Sequence, residues 1–285
     1  AHFANVDPCD SCGSPLFSQE RAPQSVAYAE NQSMFLDKLI GEGDWLAKYA
    51  KDKAGNVLPW KLAEEAIRTT HPYAVFTIRT MLQIPYFEKA LYELPDDLLD
   101  DAEAIKALAA RIEAQIVGGP SSLPLLMVPH ILSAEASCYY HAYVLADMSV
   151  YQTRDYFFAK YGSITDNKEV GPELVKSYWL PGSSKPFLEL VKNLTGAELT
   201  AAAWLKDIST SVDDKVAAEK AKYDKGLEEG PTIDVENVDL EMKVRIVHGD
   251  EVIADTEADG GLAQTCAKFK NYVETHYGPG AESKA

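Results

Sequence analysis

The sequence is poor in cysteine, has no excess of positive charge and contains no long apolar run. Four cysteines in 285 residues are too few for a disulfide framework. The net charge of −17 argues against a basic nucleic-acid-binding face and against attachment to an anionic membrane surface. No apolar stretch approaches the roughly 20 residues that a transmembrane helix needs. No glycine-rich phosphate loop follows a strand, so nothing indicates nucleotide binding.

What the sequence does contain is helical periodicity along most of its length. The composition, 46% hydrophobic, is enough to build a core. Apolar spacing predicts helices over residues 25–39, 44–51, 59–83, 102–117, 131–161, 196–227 and 261–277, with Pro85 stopping or kinking the third. Alternating apolar residues around an HGDE turn predict a β-hairpin within residues 232–257. We therefore expect a mainly α protein with a small β-hairpin near the C-terminus. Residues 1–230 would form the helical part, and residues 231–285 would pack on the same domain.

The first chemically notable segment is SVAYAENQSMFLDKL, residues 25–39. A single carboxylate, Glu30, lies in the middle of this predicted helix among mainly apolar and small neighbours. One interpretation is a functional carboxylate. The other is a solvated residue that shares a polar face with Asn31 and Lys38.

The second is PHILSAEASCYYHAYVLADM, residues 129–148, which follows a proline-rich loop. Within about four helical turns it holds two histidines, a glutamate and three tyrosines: His130, Glu135, Tyr139, Tyr140, His141 and Tyr143. Such groups supply general acids and hydrogen bonds to a bound peptide or its oxyanion. The alternative is an aromatic core stripe. Helical spacing places Glu135, Tyr139 and Tyr143 on one face and directs His141 elsewhere.

In this order and about 100 residues apart, the two segments resemble the catalytic domain of the thimet oligopeptidase and oligoendopeptidase F family of zinc peptidases. In that family an HExxH motif supplies two zinc ligands and the base. The resemblance implies a helical zincin-like fold with Glu30 as the third zinc ligand, in a stretch similar to FVExPSQ. His130 is similar to a histidine of a mobile loop, and Tyr139–Tyr140 to a tyrosine pair. Residues 181–186 and Gly196 resemble later elements, and the resemblance covers roughly residues 2–205.

The sequence also departs from the family pattern. No HExxH occurs anywhere in the 285 residues. Glu135 stands where the family has a tyrosine five residues after the histidine, and Ala142 stands at the later tyrosine position. We expect Tyr139 and Tyr143 to substitute. His2 is similar to a further family histidine three residues after HExxH, so we expect the chain to be a fragment that begins just after that motif.

The resemblance implies that the parent protein hydrolyses bonds in short peptides with zinc. Glu30 would be a metal ligand, and the candidate catalytic residues are His130, Glu135, Tyr139, Tyr140 and Tyr143. A catalytic zinc needs about three protein ligands, and this chain supplies Glu30 with at best His130 or His2 nearby. We therefore expect absent or weakly bound zinc and no peptidase activity in this chain alone. Apolar surface exposed by truncation could drive homodimerisation. The sequence leaves the compartment unknown, and the cytoplasm is only a guess.

Two alternatives stay open. The chain could be a non-catalytic pseudo-peptidase or helical peptide-binding protein that keeps the scaffold. It could also store metal or act in redox chemistry through the CxxC of Cys9 and Cys12, although a chance loop pair or a local disulfide is the simpler interpretation of those cysteines. Among the isolated histidines, we expect His71 to be a structural residue and His248 to be solvated.

Overall fold

The structure is a computed structural model that describes residues 25–232 and 242–278. The chain forms two compact units, residues 1–230 and 231–285, and each is described by itself. The packing of the second unit on the first therefore stays a prediction. Within the described ranges, no helix combines the length and the apolar character needed to cross a membrane.

The first unit is helical. Its helices are α1 (Val26–Leu39), α2 (Gly43–Tyr49), α3 (Trp60–Thr70), α4 (Ala74–Tyr92), α5 (Ala102–Ile116), α6 (Pro129–Leu132), α7 (His141–Tyr161), α8 (Val170–Leu174), α9 (Phe187–Thr195), α10 (Ala202–Ile208) and α11 (Val212–Glu229). A π-helical turn, Val175–Trp179, follows α8 directly. Together with the hairpin described next, these helices confirm the predicted mainly α fold.

The second unit contains the predicted hairpin and a helix. Strands β1 (Arg245–His248) and β2 (Glu251–Asp255) pair antiparallel, with His248 opposite Glu251. Gly249 lies in the turn between them with a φ of 58°, a left-handed conformation that glycine adopts without strain. The last helix, α12 (Leu262–Tyr277), packs against β2. The turn is the one that the HGDE sequence predicted.

The first hydrophobic core joins α1 to α7 and the helices that follow it. Tyr28 and Phe35 of α1 are buried against Ala142, Val150 and Phe157 of α7. The rings of Phe35 and Phe157 meet edge to face with their centroids 6.0 Å apart, a favoured aromatic geometry. These contacts pack α1, the helix that carries Glu30, along α7.

A second core lies between α4, α5 and the proline-rich loop. Ile84 and Phe87 of α4 are fully buried against Leu108 and Ile112 of α5, and Leu125 of the loop closes the cluster. Tyr140 and Ile131 pack at its margin. The segment that carries the candidate tyrosines is thus anchored on this core at one end and on the first core at the other.

The predicted helix over residues 131–161 is wrong at its N-terminal end, because α7 begins only at His141. Ser133 and Ser137 have extended backbones, and Cys138 has a left-handed φ of 55°. The Cys138 N–H donates to the buried carboxylate of Glu88 instead of to a helical carbonyl. This tertiary hydrogen bond replaces helix formation in the segment between α6 and α7.

Two other long helices are interrupted. The predicted helix over 196–227 divides into α10 and α11, where the Ser211 side chain caps α11 by accepting the Asp214 N–H at 3.1 Å. The predicted helix over 59–83 is broken by a 3₁₀ turn at His71–Tyr73. Its second half, α4, then runs through Pro85 to Tyr92. Of the two predicted effects of Pro85, a stop or a kink, the stop is therefore wrong.

Close packing of α2 against α11 gives a testable consequence. A Cβ added to Gly43 would lie 2.2 Å from the Glu219 carbonyl oxygen, which is backbone and cannot move aside. Gly43→Ala should lower the free energy of unfolding by about 2 kcal/mol or more, because overpacking forces the helices apart. Gly41→Ala is the matched control, since its Cβ would meet nothing closer than 3.8 Å. Urea denaturation of both variants checks this, and equal stabilities would contradict the described α2–α11 contact.

Candidate functional site

Glu30 projects from α1 toward the segment that precedes α7. Its Oε1 accepts a hydrogen bond from the Tyr139 hydroxyl, 109 residues further along the chain. Its Oε2 lies 3.2 Å from the Ser33 hydroxyl, one helical turn away on the same helix. Both carboxylate oxygens therefore have polar partners in a half-buried position. The interpretation of Glu30 as a fully solvated surface residue does not describe this environment.

A chain of buried hydrogen bonds fixes the helix that carries Glu30. The Trp179 indole N–H donates to the Gln32 side chain at 2.8 Å, and Gln32 donates to Asn31 at 2.6 Å. Asn31 in turn donates to the hydroxyl of Ser149 on α7. Asn31 and Gln32 are 1% and 3% exposed, so Asn31 does not share a solvated face with Glu30. A fully connected buried polar network favours one rotation of α1 about its axis, and that rotation directs Glu30 toward Tyr139.

Four aromatic side chains form a cluster beside Glu30. The ring centroid of His130 lies 5.1 Å from that of Tyr140, 5.6 Å from that of Tyr139 and 5.7 Å from that of Tyr143. The Tyr143 ring is also 5.3 Å from Tyr139 and 5.0 Å from Tyr140. Every ring in this cluster therefore contacts at least two others. All four residues are only half-buried, so the cluster borders solvent rather than filling a core.

The electrostatics of the cluster keep its hydroxyl groups protonated. Burial raises the pKa of Tyr139 far above its ordinary value, and the hydrogen bond to the Glu30 carboxylate is the second largest cause of this rise. Burial, assisted by the charge of Glu30, also raises the pKa of Tyr143. Burial alone raises the pKa of Tyr140. Because all three phenols stay neutral at physiological pH, each is a potential hydrogen-bond donor to a carbonyl or oxyanion.

His130 contributes an imidazole with one ring nitrogen engaged. Its Nε2 lies 3.3 Å from the Tyr143 hydroxyl. Its Nδ1 is buried and has no hydrogen-bond partner among the described residues. An unpaired buried ring nitrogen is costly and recurs at functional sites. It is consistent with a histidine that gains a partner when a ligand binds or when its segment moves.

The structure thus brings together Glu30, His130, Tyr139, Tyr140 and Tyr143, which the sequence placed in two separate segments. Their contacts join α1, α6 and the start of α7 into one site. His141, the first residue of α7, is exposed.

The position of Glu135 differs from the expectation. Its backbone lies in a short 3₁₀ turn, Ala134–Ala136, and its side chain is outside the described part of the structure. The face that Glu135 was expected to share with Tyr139 and Tyr143 required a continuous helix, and the chain leaves helical geometry between Ser137 and Tyr140. Tyr139 and Tyr143 nevertheless meet. His2, Cys9 and Cys12 lie outside the described residues.

His71 and His248, the isolated histidines considered in the sequence, lie outside the tyrosine cluster. The Nε2 of His71 lies 2.8 Å from the Thr210 carbonyl oxygen and ties the α3–α4 junction to the loop before α11. His248 is exposed at the end of β1. The sequence reasoning did not identify Glu88, whose buried carboxylate holds the backbone beside Tyr139. A charged residue directly after the apolar Phe87 was the available signal.

Metal-binding capacity can be judged from the donor groups. Across residues 25–232 and 242–278, no three His, Cys, Asp or Glu side chains are grouped closely enough to hold a metal ion. A catalytic zinc needs about three protein ligands. The described residues therefore do not form a complete zinc site by themselves, although the Glu30 carboxylate could supply one ligand.

Comparison with known proteins decides the family. The sequence model described as peptidase family M3 matches residues 15–210, which include α1 and the whole tyrosine cluster. The chain belongs to peptidase family M3. No curated protein and no solved structure matches it. The M3 family consists of helical, zinc-dependent metallopeptidases, so membership confirms the resemblance seen in the sequence and supports a metallopeptidase function.

Proposed function

We propose that this M3 chain supplies the third zinc ligand and the substrate-binding side of a peptidase that hydrolyses short peptides. Glu30 is the proposed ligand, and His130, Tyr139, Tyr140 and Tyr143 are the proposed substrate-side residues. The observation that carries the proposal is the hydrogen bond from the Tyr139 hydroxyl to Glu30. It joins two motifs that the family pattern assigns to metal and to substrate.

The chemistry of this chain follows from neutral tyrosines beside a carboxylate. Ser33 and Tyr139 hold the Glu30 carboxylate in one orientation, which pre-organises it as a ligand. The Tyr143 hydroxyl would hydrogen-bond the scissile carbonyl oxygen, a role most effective where water is partly excluded. The Tyr139 hydroxyl has one proton, which Glu30 accepts in this structure, so it would join Tyr143 only by turning from Glu30 to the substrate. His130, 3.3 Å from the Tyr143 hydroxyl, would orient that hydroxyl or bind the peptide directly. Zinc, when bound, supplies the activated water for attack on the carbonyl.

The proposal assigns the remaining ligands and the base to an HExxH segment outside these 285 residues. We call the present chain joined to such a segment the HExxH-bearing form. The segment could come from adjoining coding sequence or from another M3 peptidase. The 285-residue chain alone should retain little or no zinc and cleave no peptide, since one carboxylate holds zinc weakly.

Zinc content and cleavage of a quenched fluorogenic peptide test this directly. We expect about one zinc per HExxH-bearing chain, with peptide hydrolysis, and neither in the 285-residue chain. Tetrahedral zinc bound at Glu30 in the 285-residue chain would overturn the proposal. An HExxH-bearing form that folds but loads no zinc would favour the second candidate function.

That second candidate is peptide binding without hydrolysis. Ala142, at the position of the family's later tyrosine, is 1% exposed in the first core and offers no hydroxyl group. This departure favours a scaffold that binds peptides but has lost part of its catalytic equipment. Binding of a fluorescent short peptide without turnover, weakened by Tyr139→Phe, would be its signature.

The proposal also includes self-association through exposed apolar surface. Tyr73 and Phe76 at the start of α4 are 62% and 53% exposed and contact each other. Light scattering over a range of concentrations should show a dimer if such surface pairs two copies. A constant monomer mass would remove this part of the proposal and leave the assignment of the site unchanged.

A further inference from the structure

The segment that carries Tyr139 is held by a residue outside the family motifs. Glu88 lies on α4, is 3% exposed, and accepts the backbone N–H of Cys138 through its carboxylate. Cys138 immediately precedes Tyr139. A buried carboxylate is costly unless it is hydrogen-bonded, so this contact is a defining feature of the segment's conformation.

The backbone at Cys138 needs such an anchor. Its φ of 55° lies in the left-handed region. For a residue other than glycine, the population of this region is lower by a factor of roughly 5 to 30. A hydrogen bond to a charged acceptor favours the bonded state by a factor of roughly 10 to 150. The Glu88 contact is therefore strong enough to hold Cys138 in this conformation, and the turn there places the Tyr139 hydroxyl on Glu30.

We propose that Glu88 is a positioning residue, which holds the Tyr139 hydroxyl against Glu30 by anchoring the Cys138 backbone in the left-handed conformation. This role rests on the proposed function of the site, because it concerns how Tyr139 is held beside the proposed ligand Glu30. Glu88 itself is not assigned a contact with substrate. Its effect is transmitted through one backbone hydrogen bond to the residue that follows Cys138.

Three variants of the 285-residue chain test the anchor. Glu88→Leu removes the acceptor, and leucine is compatible with a position next to Phe87 at the second core. Glu88→Gln keeps a neutral acceptor and serves as the rescue variant. Glu113→Leu is the matched control, because Glu113 accepts the Leu125 N–H at 3.0 Å and so anchors the neighbouring loop in the same way.

Amide hydrogen exchange gives the first measurement. Glu88→Leu should speed exchange at Cys138 about tenfold or more, while Glu88→Gln should restore most of the protection. Glu113→Leu should instead loosen residues 120–128 and leave Cys138 protected. Unchanged exchange at Cys138 in a folded Glu88→Leu chain would overturn the proposal, as would equal loosening by the Glu113 control.

The second measurement reports the position of Tyr139. In protein with carbon-13-labelled tyrosine rings, the Tyr139 signal, assigned with Tyr139→Phe, should shift in Glu88→Leu toward that of a solvent-exposed tyrosine and return in Glu88→Gln. A Tyr139 signal that stays unchanged in Glu88→Leu and in Glu88→Gln would overturn the positioning role, even if amide exchange at Cys138 becomes faster. Both measurements are made without zinc, so a failure of Glu30 as a zinc ligand would leave them unaffected and the two failures can be told apart.

Discussion

Glu30→Gln should cause the largest loss of function of any single substitution in this chain. In the HExxH-bearing form, we expect zinc affinity to fall by more than about 100-fold. Losing a residue that only hydrogen-bonds to a metal ligand lowers metal affinity about 10- to 100-fold, and losing the ligand itself should lower it further. Peptidase activity should fall with zinc content. Zinc retained after dialysis against a chelator, together with peptide turnover, measures both effects.

Asp37→Asn is the matched control for this prediction. Asp37 lies two turns further along α1, is exposed and belongs to the same family-like stretch. Its substitution should leave zinc content and turnover within about twofold of wild type, since exposed surface changes have small effects. If Glu30→Gln retained zinc as well as Asp37→Asn does, Glu30 would not be the ligand.

The double substitution Tyr139→Phe with Tyr143→Phe should lower kcat by roughly 100- to 1,000-fold in the HExxH-bearing form. Removing one donor to a developing oxyanion costs about this much in other enzymes. We expect the two hydroxyls to act on the same carbonyl once the Tyr139 hydroxyl turns from Glu30 to the substrate, because the two ring centroids are only 5.3 Å apart. KM should change less than kcat, since the hydrogen bonds strengthen as charge develops on that oxygen.

Tyr28→Phe controls for the loss of a tyrosine hydroxyl as such. Tyr28 lies on the same helix as Glu30 but outside the tyrosine cluster. Its hydroxyl donates to the Tyr178 carbonyl oxygen inside the first core. Its removal should cost about 1 kcal/mol of stability and leave kcat unchanged. Wild-type turnover by the double variant would show that the two tyrosines do not replace those of the family pattern.

Part of this site could be predicted from the sequence because its motifs are local. The helix that carries Glu30 was predicted with an error of one residue, since its apolar residues follow a regular helical period. The family resemblance then joined Glu30 to His130 and Tyr139, which no periodicity connects. Their contact in the structure agrees with that assignment, although their catalytic roles stay predictions.

The segment between α6 and α7 could not be predicted for the opposite reason. Its conformation depends on Glu88, which lies 50 residues before Cys138 in the chain. Apolar spacing through Tyr139 and Tyr143 favoured a continuous helix, and the tertiary hydrogen bond overrides that local preference. The breaks after α3 and α10 were also missed. Pro72, in the 3₁₀ turn after α3, was a signal in the sequence that the apolar period outweighed. The break before α11 is made by the Ser211 cap, in a stretch without glycine or proline.

Anomalous scattering from zinc in crystals of the HExxH-bearing form tests the central assignment most directly. The account predicts one zinc ion per chain, with a Glu30 carboxylate oxygen about 2.0–2.2 Å from it and the Tyr139 hydroxyl still beside that carboxylate. A fully loaded zinc site whose coordination sphere does not include Glu30 would contradict the account.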